Sequence, residues 1–308
     1  HSWVWEQGSS EEAEVTGSFT WTGPAAGEPA YYYRFERDAP GCDGVRTTEN
    51  CYQKVVVGPA SGPASADLNG DGRISEADRD ERTNFANWYA YYRVRSFAAR
   101  AGVSRACASL GEGSRVGYGG VSGGRAAVDG KAVYGVSQGG RPFSGEARKA
   151  FYDWMFSSRS SGNTALRRAL NGVGSYYENA SASGPWSTTP GEGGGELLSC
   201  RKSFAVMMTD GYWNDATASG AARDNNDGTP GTTITGPDGE RFSYEPRSPF
   251  ADGNRDTLAD VAMYYWKRDL LPALENRVPV SPQNPAFWQH MVTYAVGFGV
   301  DGTVDADA

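Results

Sequence analysis

Apolar and aromatic positions recur at three- and four-residue spacing across residues 80–109. Phe85, Trp88, Tyr89, Tyr92, Phe97 and Val103 mark one stripe there, which predicts a helix with a buried face that stops at Gly111. Two short strand-like runs follow at 115–119 and 132–136, separated by Gly-rich turns. Residues 146–156 and 164–177 read as helices, the second with Leu166, Leu170 and Val173 on one side, and 181–195 reads as a loop. The continuous apolar run 204–208, halted by Thr209-Asp210-Gly211, has the pattern of a central strand buried on both faces. A long polar insertion at 216–255 leads to a helix over 258–271 that Pro272 ends, and a last strand is expected at 291–298. Helices alternating with short apolar strands predict an α/β fold, an open, doubly wound and mostly parallel sheet covered on both faces. Residues 1–66 carry Trp and Tyr clusters without sustained periodicity, so short β elements in an irregular segment are expected there. No internal repeat suggests a solenoid or propeller.

The 308 residues include 29 Lys or Arg and 37 Asp or Glu, a net charge of −8, which argues against nucleic acid and anionic lipid as main partners. With 39% hydrophobic residues the chain can bury a sizeable core, while 41 Gly and 16 Pro make turns abundant. Its longest apolar run is the six residues from Val261 to Trp266, far short of the roughly 20 that span a bilayer, so no transmembrane segment is expected. The chain opens on His1 with no charged and apolar leader behind it, and a processed or excised piece is the expectation. Cys42 and Cys51 sit close enough in a loop-like stretch for a local disulfide, which suggests an oxidising compartment. Cys107 and Cys200 are either a second pair or two buried thiols.

The most specific chemistry lies in Asp67-Leu-Asn69-Gly-Asp71-Gly72-Arg73-Ile74-Ser75-Glu-Ala-Asp78. Oxygen side chains of Asp67, Asn69, Asp71, Ser75 and Asp78 fall at the positions of a calcium loop, Gly72 takes the sharp turn, and Arg73 offers its carbonyl. Gly-Pro pairs ahead of Asp67 forbid an entering helix, so this is half an EF-hand, and Ser75 with Asp78 also caps the helix that follows. Asp252, Asn254 and Asp256 alternate like ligands, but Thr257 stands where the turn glycine belongs, and Asp256 is expected to cap the next helix. The acidic turns at 224–229 and 301–307 read as solvated loops.

A hydrolase is the first alternative. Gly-x-Ser-x-Gly occurs at 120–124 and 135–139, and Ser137, then Asp210 or Asp260, then His290 follow the order of a nucleophile, acid and base. Gly139, Gly140 and Pro142 delay any helix after Ser137, however, and a core histidine is the preferred reading of His290. No Cys and His grouping suggests catalytic zinc. The second alternative, a dockerin-like module that docks on a scaffold, normally needs two calcium loops, and one is present.

Several blocks look familiar together. Asn84-Phe-Ala-Asn-Trp-Tyr-Ala-Tyr-Tyr-Arg-Val-Arg95, Arg115-Val-Gly-Tyr-Gly119, Phe151-Tyr-Asp-Trp154, Asn163-Thr-Ala-Leu-Arg-Arg-Ala-Leu170, Cys200-Arg-Lys-Ser-Phe204, Thr209-Asp-Gly-Tyr-Trp-Asn214, Thr257-Leu-Ala-Asp-Val-Ala-Met-Tyr-Tyr-Trp-Lys267 and Phe287-Trp-Gln-His290 run in order over about residues 80–303. They resemble the amino-terminal region of the type IV pilus tip-associated adhesins, the PilY/PilC family. The resemblance implies a von Willebrand factor A-like, Rossmann-like domain over 80–308 with its insertion at 216–255, preceded by an irregular insertion at 1–79 that contains the calcium loop. It implies an extracellular, non-enzymatic adhesin at the pilus tip or outer surface that supports pilus assembly and attachment. Its partners would be minor pilins and a host or abiotic surface ligand. Such domains hold a divalent ion with an Asp-x-Ser-x-Ser loop, a Thr and an Asp at the carboxyl ends of the strands. Thr164 and Asp210 look like the last two, and no Asp-x-Ser-x-Ser occurs in the chain. Its first strand is therefore expected to be absent, to be supplied by an upstream peptide of the same protein or replaced by residues 52–57. Ca²⁺ is the expected cofactor, with Mg²⁺ added if that strand is supplied.

Overall fold

The structure is a computed structural model and describes residues 31–44, 48–56, 88–89, 91–92, 94–159, 162–210, 213 and 217–298. The chain divides into two compact units, His1–Ala108 with Ser158–Ser160, and Ser109–Ser157 with Ser161–Ala308. The calcium loop at 67–78 lies outside the described residues.

In the first unit, β1 (Tyr31–Phe35) and β2 (Tyr52–Val56) pair antiparallel, with Tyr31 opposite Val56 and Phe35 opposite Tyr52. A Cys42–Cys51 disulfide closes the connection, and Glu36 N–H donates to Cys51 O at 2.7 Å just past the last strand pair. Of the 52–57 segment expected to replace a missing strand, residues 52–56 are the second strand of this local hairpin. A nearby partner held by a covalent clip costs less chain entropy than a distant one. Helix α1 (Arg95–Ala108) also belongs to this unit rather than to the domain expected from residue 80 onward. None of its residues is buried, because Arg95, Arg100, Arg105 and several Ala, Ser and Gly leave Phe97 and Val103 too isolated to form the expected apolar face.

In the second unit, β3 (Arg115–Tyr118) pairs antiparallel with β6 (Gln138–Pro142), and β4 (Arg125–Val128) with β5 (Lys131–Tyr134). The β4–β5 turn is Asp129-Gly130 with φ of 51° and 82°, the left-handed pair that a two-residue hairpin requires. Helix α2 (Gly145–Ser157) buries Phe151 and Met155, and the Phe151 ring meets Tyr118 and Phe143 edge-on. Helix α3 (Leu166–Tyr177) turns Leu166 and Leu170 into the main core, and its Tyr176 joins Val128 and Val133 of the hairpin in a second cluster.

Strands β7 (Phe204–Thr209) and β10 (Val292–Gly297) pair in parallel, Phe204 opposite Val292 and Thr209 opposite Gly297. Helix α4 (Leu258–Trp266) adds Val261 and Tyr265 to the core that α3 shares with Ala205, Met207 and Met291. Tyr177 Oη, at the end of α3, donates to Phe204 O at the start of β7 (3.0 Å). Likewise Met291 N–H, before β10, donates to Tyr265 O near the end of α4 (2.9 Å). Both helices therefore run antiparallel to the strands, with their amino termini toward the strands' carboxyl ends.

Several expectations change here. The mostly parallel sheet is, among the described residues, one parallel pair beside four antiparallel ones. Among the described residues strand β7 is covered on one face: Ala205 and Met207 are buried, while Phe204 and Val206 are 46% and 69% exposed. The helix expected over 258–271 ends at Trp266 with Lys267 as its cap, well before Pro272. The polar 216–255 insertion also contributes to the core. Ala218 and Ala222 pack against α4, and the short hairpin of β8 (Ile234–Thr235) and β9 (Arg241–Phe242) sets Ile234 and Phe242 against Trp288.

Candidate ion-binding edge of the parallel strands

The carboxyl ends of β7 and β10 and the amino termini of α3 and α4 form one end of the helix–strand layer. Asp210 follows β7 directly and is exposed, while Thr164 is half-buried two residues ahead of α3, with its carbonyl accepting from Leu166 N–H at 3.0 Å. The antiparallel run of α3 against β7 brings these two positions to the same end.

The two helix starts are tied by Asp256. Arg167, in the first turn of α3, donates from Nη1 to Asp256 O (2.7 Å) and pairs with its carboxylate at 2.9 Å. Ala218 N–H reaches Asp256 Oδ1 at 3.2 Å, and Asp256 N–H donates to Arg223 O at 3.0 Å. Asp256 therefore does not cap α4, contrary to expectation. Its φ of 58° turns the chain, and Thr257 is the cap: Thr257 Oγ1 accepts from Asp260 N–H (3.0 Å) while Asp260 Oδ2 accepts from Thr257 N–H (2.9 Å). The Thr-x-x-Asp spacing is a readable signal for that reciprocal cap.

Thr164 and Asp210 offer a hydroxyl and a carboxylate, a donor set suited to a hard cation. Two side chains do not fill the near-octahedral shell of Mg²⁺, and no Asp-x-Ser-x-Ser segment exists in the chain to complete it. The residues present do not make a whole centre.

The chain is 30% identical over 290 residues to type IV pilus biogenesis factor PilY1 of Pseudomonas aeruginosa strain PAK, covering 89% of this chain and 22% of that protein. It is 31% identical over 295 residues to the PilY1 of strain PAO1, with the same two coverages. This chain belongs to the PilY1 family. It spans about a fifth of the length of the PilY1 proteins it matches. No family model and no solved structure matches it. Among the described residues, no helix of this PilY1-family chain is long and apolar enough to cross a membrane.

The other candidate sites fare differently. Ser137 sits between β5 and β6, with its N–H on Tyr118 O (2.8 Å), so a strand rather than a helix follows and no nucleophile elbow forms. His290 is buried, and both ring nitrogens are engaged: Nδ1–H donates to Trp288 O at 2.6 Å and Nε2 accepts from Asn284 Nδ2 at 2.8 Å. Burial holds its pKa below the usual histidine value. The Ser137 and His290 of the hydrolase alternative are thus a turn residue and a core histidine, the latter as preferred from the sequence.

Cys42, Asp43 and Cys51 come within metal-ligating distance of one another, but the two sulfurs are bonded together and no thiolate remains. Cys107 is half-buried and Cys200 exposed. They fall in separate units, and neither is buried as a core thiol would be. Sequence reasoning missed Asp227, placed in a turn read as solvated: it is 1% exposed, and Asn226 beside it is also buried.

Proposed function

We propose that this chain is a binding and structural segment of a type IV pilus biogenesis factor, displayed outside the cell at the pilus tip, where it supports pilus assembly and attachment to surfaces. The observation that carries this reading is the identity to PilY1 proteins along 89% of the chain. Minor pilins and a surface ligand are the partners it would engage. The domain would be von Willebrand factor A-like: α3 and α4 cover one face of β7 and β10, and the opposite face, with Phe204, Val206, Tyr294 and Val296 exposed, leaves room for a further layer. Thr164 and Asp210 would contribute to an ion site once a strand outside this chain supplied the remaining oxygens.

Chromosomal replacement of the natural coding sequence by versions carrying Asp210→Ala, or lacking this segment, tests the reading. Loss of surface pili or of attachment, with the protein still exported, is the expected result. Unchanged piliation and attachment in the segment deletion would overturn it.

The Asp67 to Asp78 loop would bind Ca²⁺, because its donors are all oxygens at the spacing such a loop needs. The melting temperature should rise in millimolar calcium relative to chelator, and Asp71→Ala should abolish most of that rise. A midpoint indifferent to calcium would remove the assignment.

A further inference from the structure

Two acidic turns that look unrelated in sequence meet in the second unit. Asn225 Nδ2 donates to Asp252 O at 3.1 Å, and Asp252 N–H reaches Asp227 Oδ1 at 3.4 Å. A Cβ on Gly228 would come within 2.6 Å of Asp252 O, so the two backbones touch without room for a side chain between them. Asn226 N–H donates to Asp260 Oδ1 (2.7 Å), and Tyr244 Oη donates to Asp227 O (2.7 Å), which pins the 224–229 turn from both sides.

At this junction Asp227 is 1% exposed, and its Oδ2 is buried with no hydrogen-bond partner. A buried carboxylate oxygen without a donor costs on the order of several kcal/mol, so something must compensate it. Lys267 is the nearby cation in the interior. Its three N–H bonds are already spent on Asn226 O (2.7 Å), Thr229 O (2.9 Å) and Thr229 Oγ1 (3.0 Å). Its one charge also faces two carboxylates, Asp227 and Asp260.

We infer that the junction of the 224–229 turn with Asp252 is a calcium site, with Asp227 Oδ2 as its buried ligand and the Asp252 carboxylate as its exposed one. Oxygen chemistry selects the ion class: residues 217–256 contain no Cys or His, so a soft or borderline metal finds no preferred ligand. Ca²⁺ tolerates irregular shells completed by carbonyls and water, whereas Mg²⁺ does not. Burial raises the pKa of Asp227, and the carboxylates of Asp260 and Asp252 raise it further, an excess of negative charge that a divalent ion relieves. The site is separate from the Thr164 and Asp210 edge and from the Asp67 to Asp78 loop.

Terbium supplies the probe, since Tyr244 lies against Asp227 and can sensitise its emission. The parent for the test is the full chain with Asp67→Ala and Asp71→Ala, which silences the other calcium loop. Tyrosine-sensitised emission should saturate at one ion per chain and be displaced by Ca²⁺. Adding Asp227→Asn, or separately Asp252→Asn, should weaken binding roughly tenfold or more. Melting in chelator checks that each variant folds, and the exposed Asp252 position keeps the test usable if the buried change unfolds the protein. An absence of emission from the parent overturns the inference, as does emission that survives Asp252→Asn unchanged. If Asp227 is merely a neutral carboxyl or holds a water, Asp227→Asn will leave the response to Ca²⁺ intact, and that too rejects the site.

Discussion

Arg141 holds Asp129 by a two-pronged contact: Nη1 donates to Asp129 Oδ2 at 3.0 Å and Nη2 to Oδ1, while the Asp129 side chain is only 3% exposed. Tyr176 Oη adds a third donor to Oδ2 at 2.7 Å, and Asn179 Nδ2 reaches Asp129 O at 2.9 Å. The turn residue of the β4–β5 hairpin is thereby tied to β6 and to the carboxyl end of α3. These links explain a glycine of the Gly-x-Ser-x-Gly motif without catalysis, because a Cβ on Gly139 would strike Asp129 Oδ2 and Tyr176 Oη.

Removing one partner strands the other in a poorly solvated place. Asp129→Ala should cost about 3 kcal/mol, and Arg141→Lys, which keeps the charge but loses the fork, about 1–2 kcal/mol. Gly139→Ala should also destabilise, while Ser137→Ala between them should be close to neutral. Urea unfolding of the four variants reads this ranking. A Ser137→Ala loss as large as that of Asp129→Ala would contradict it.

The cap of α4 makes a second prediction. Thr257→Ala removes the side chain that accepts from Asp260 N–H and donates to Asp260 Oδ2 at 2.9 Å, and Asp260 is fully buried. The loss should be about 2 kcal/mol, a lost cap plus a poorly satisfied carboxylate. Thr257→Ser should recover most of it in the same denaturation assay. Equal losses for Ala and Ser would show that the methyl group, not the hydroxyl, matters.

Much of this architecture was legible because periodicity is a local property. Leu166, Leu170 and Val173 mark α3 by spacing alone, and the apolar runs give β7 and β10 to within a residue or two. How many faces of β7 are covered is not local: Phe-Ala-Val-Met-Met reads the same whether one layer or two packs on it. Asp256 looked like a cap because an acid before a helix usually is one. Its ties to Arg167 and Ala218 come from segments 38 or more residues away, which spacing cannot reveal. The burial of Asp227 was hidden for the same reason, since Asp-Asn-Asn-Asp-Gly has the composition of a solvated turn. Asp129-Gly130, by contrast, is a hairpin signal that could have placed β4.

The one-sided burial of β7 separates neighbours in sequence. Met207, 8% exposed, packs with Leu166 and Val261, whereas Val206, 69% exposed, faces away. Met207→Ala should cost about 2–5 kcal/mol, and Val206→Thr should change stability by less than about 0.5 kcal/mol. Chemical denaturation of this chain measures both. A large loss at Val206 would mean that the second face is already covered in solution.

His290 makes stability depend on pH in a defined direction. Burial is the main cause of its lowered pKa. The Trp288 carbonyl, by accepting from Nδ1, opposes that shift, and the charge of Lys202 adds to it. The folded protein therefore favours the neutral ring more than the unfolded chain does. Its contribution is fully present above the unfolded value of about 6.5 and is lost as pH falls through the folded value. Stability should be level from pH 8 to about 7 and then decline, by at most about 1.4 kcal/mol per pH unit for this one group. Gln at position 290 keeps an amide for Asn284 and Trp288 but cannot titrate, so His290→Gln should flatten the decline between about pH 6.5 and 5. Carboxylates perturb both proteins alike at lower pH, and the comparison removes them. If the His290→Gln variant loses stability with the same slope as the parent, another group sets the pH response, and the buried ring is not its source.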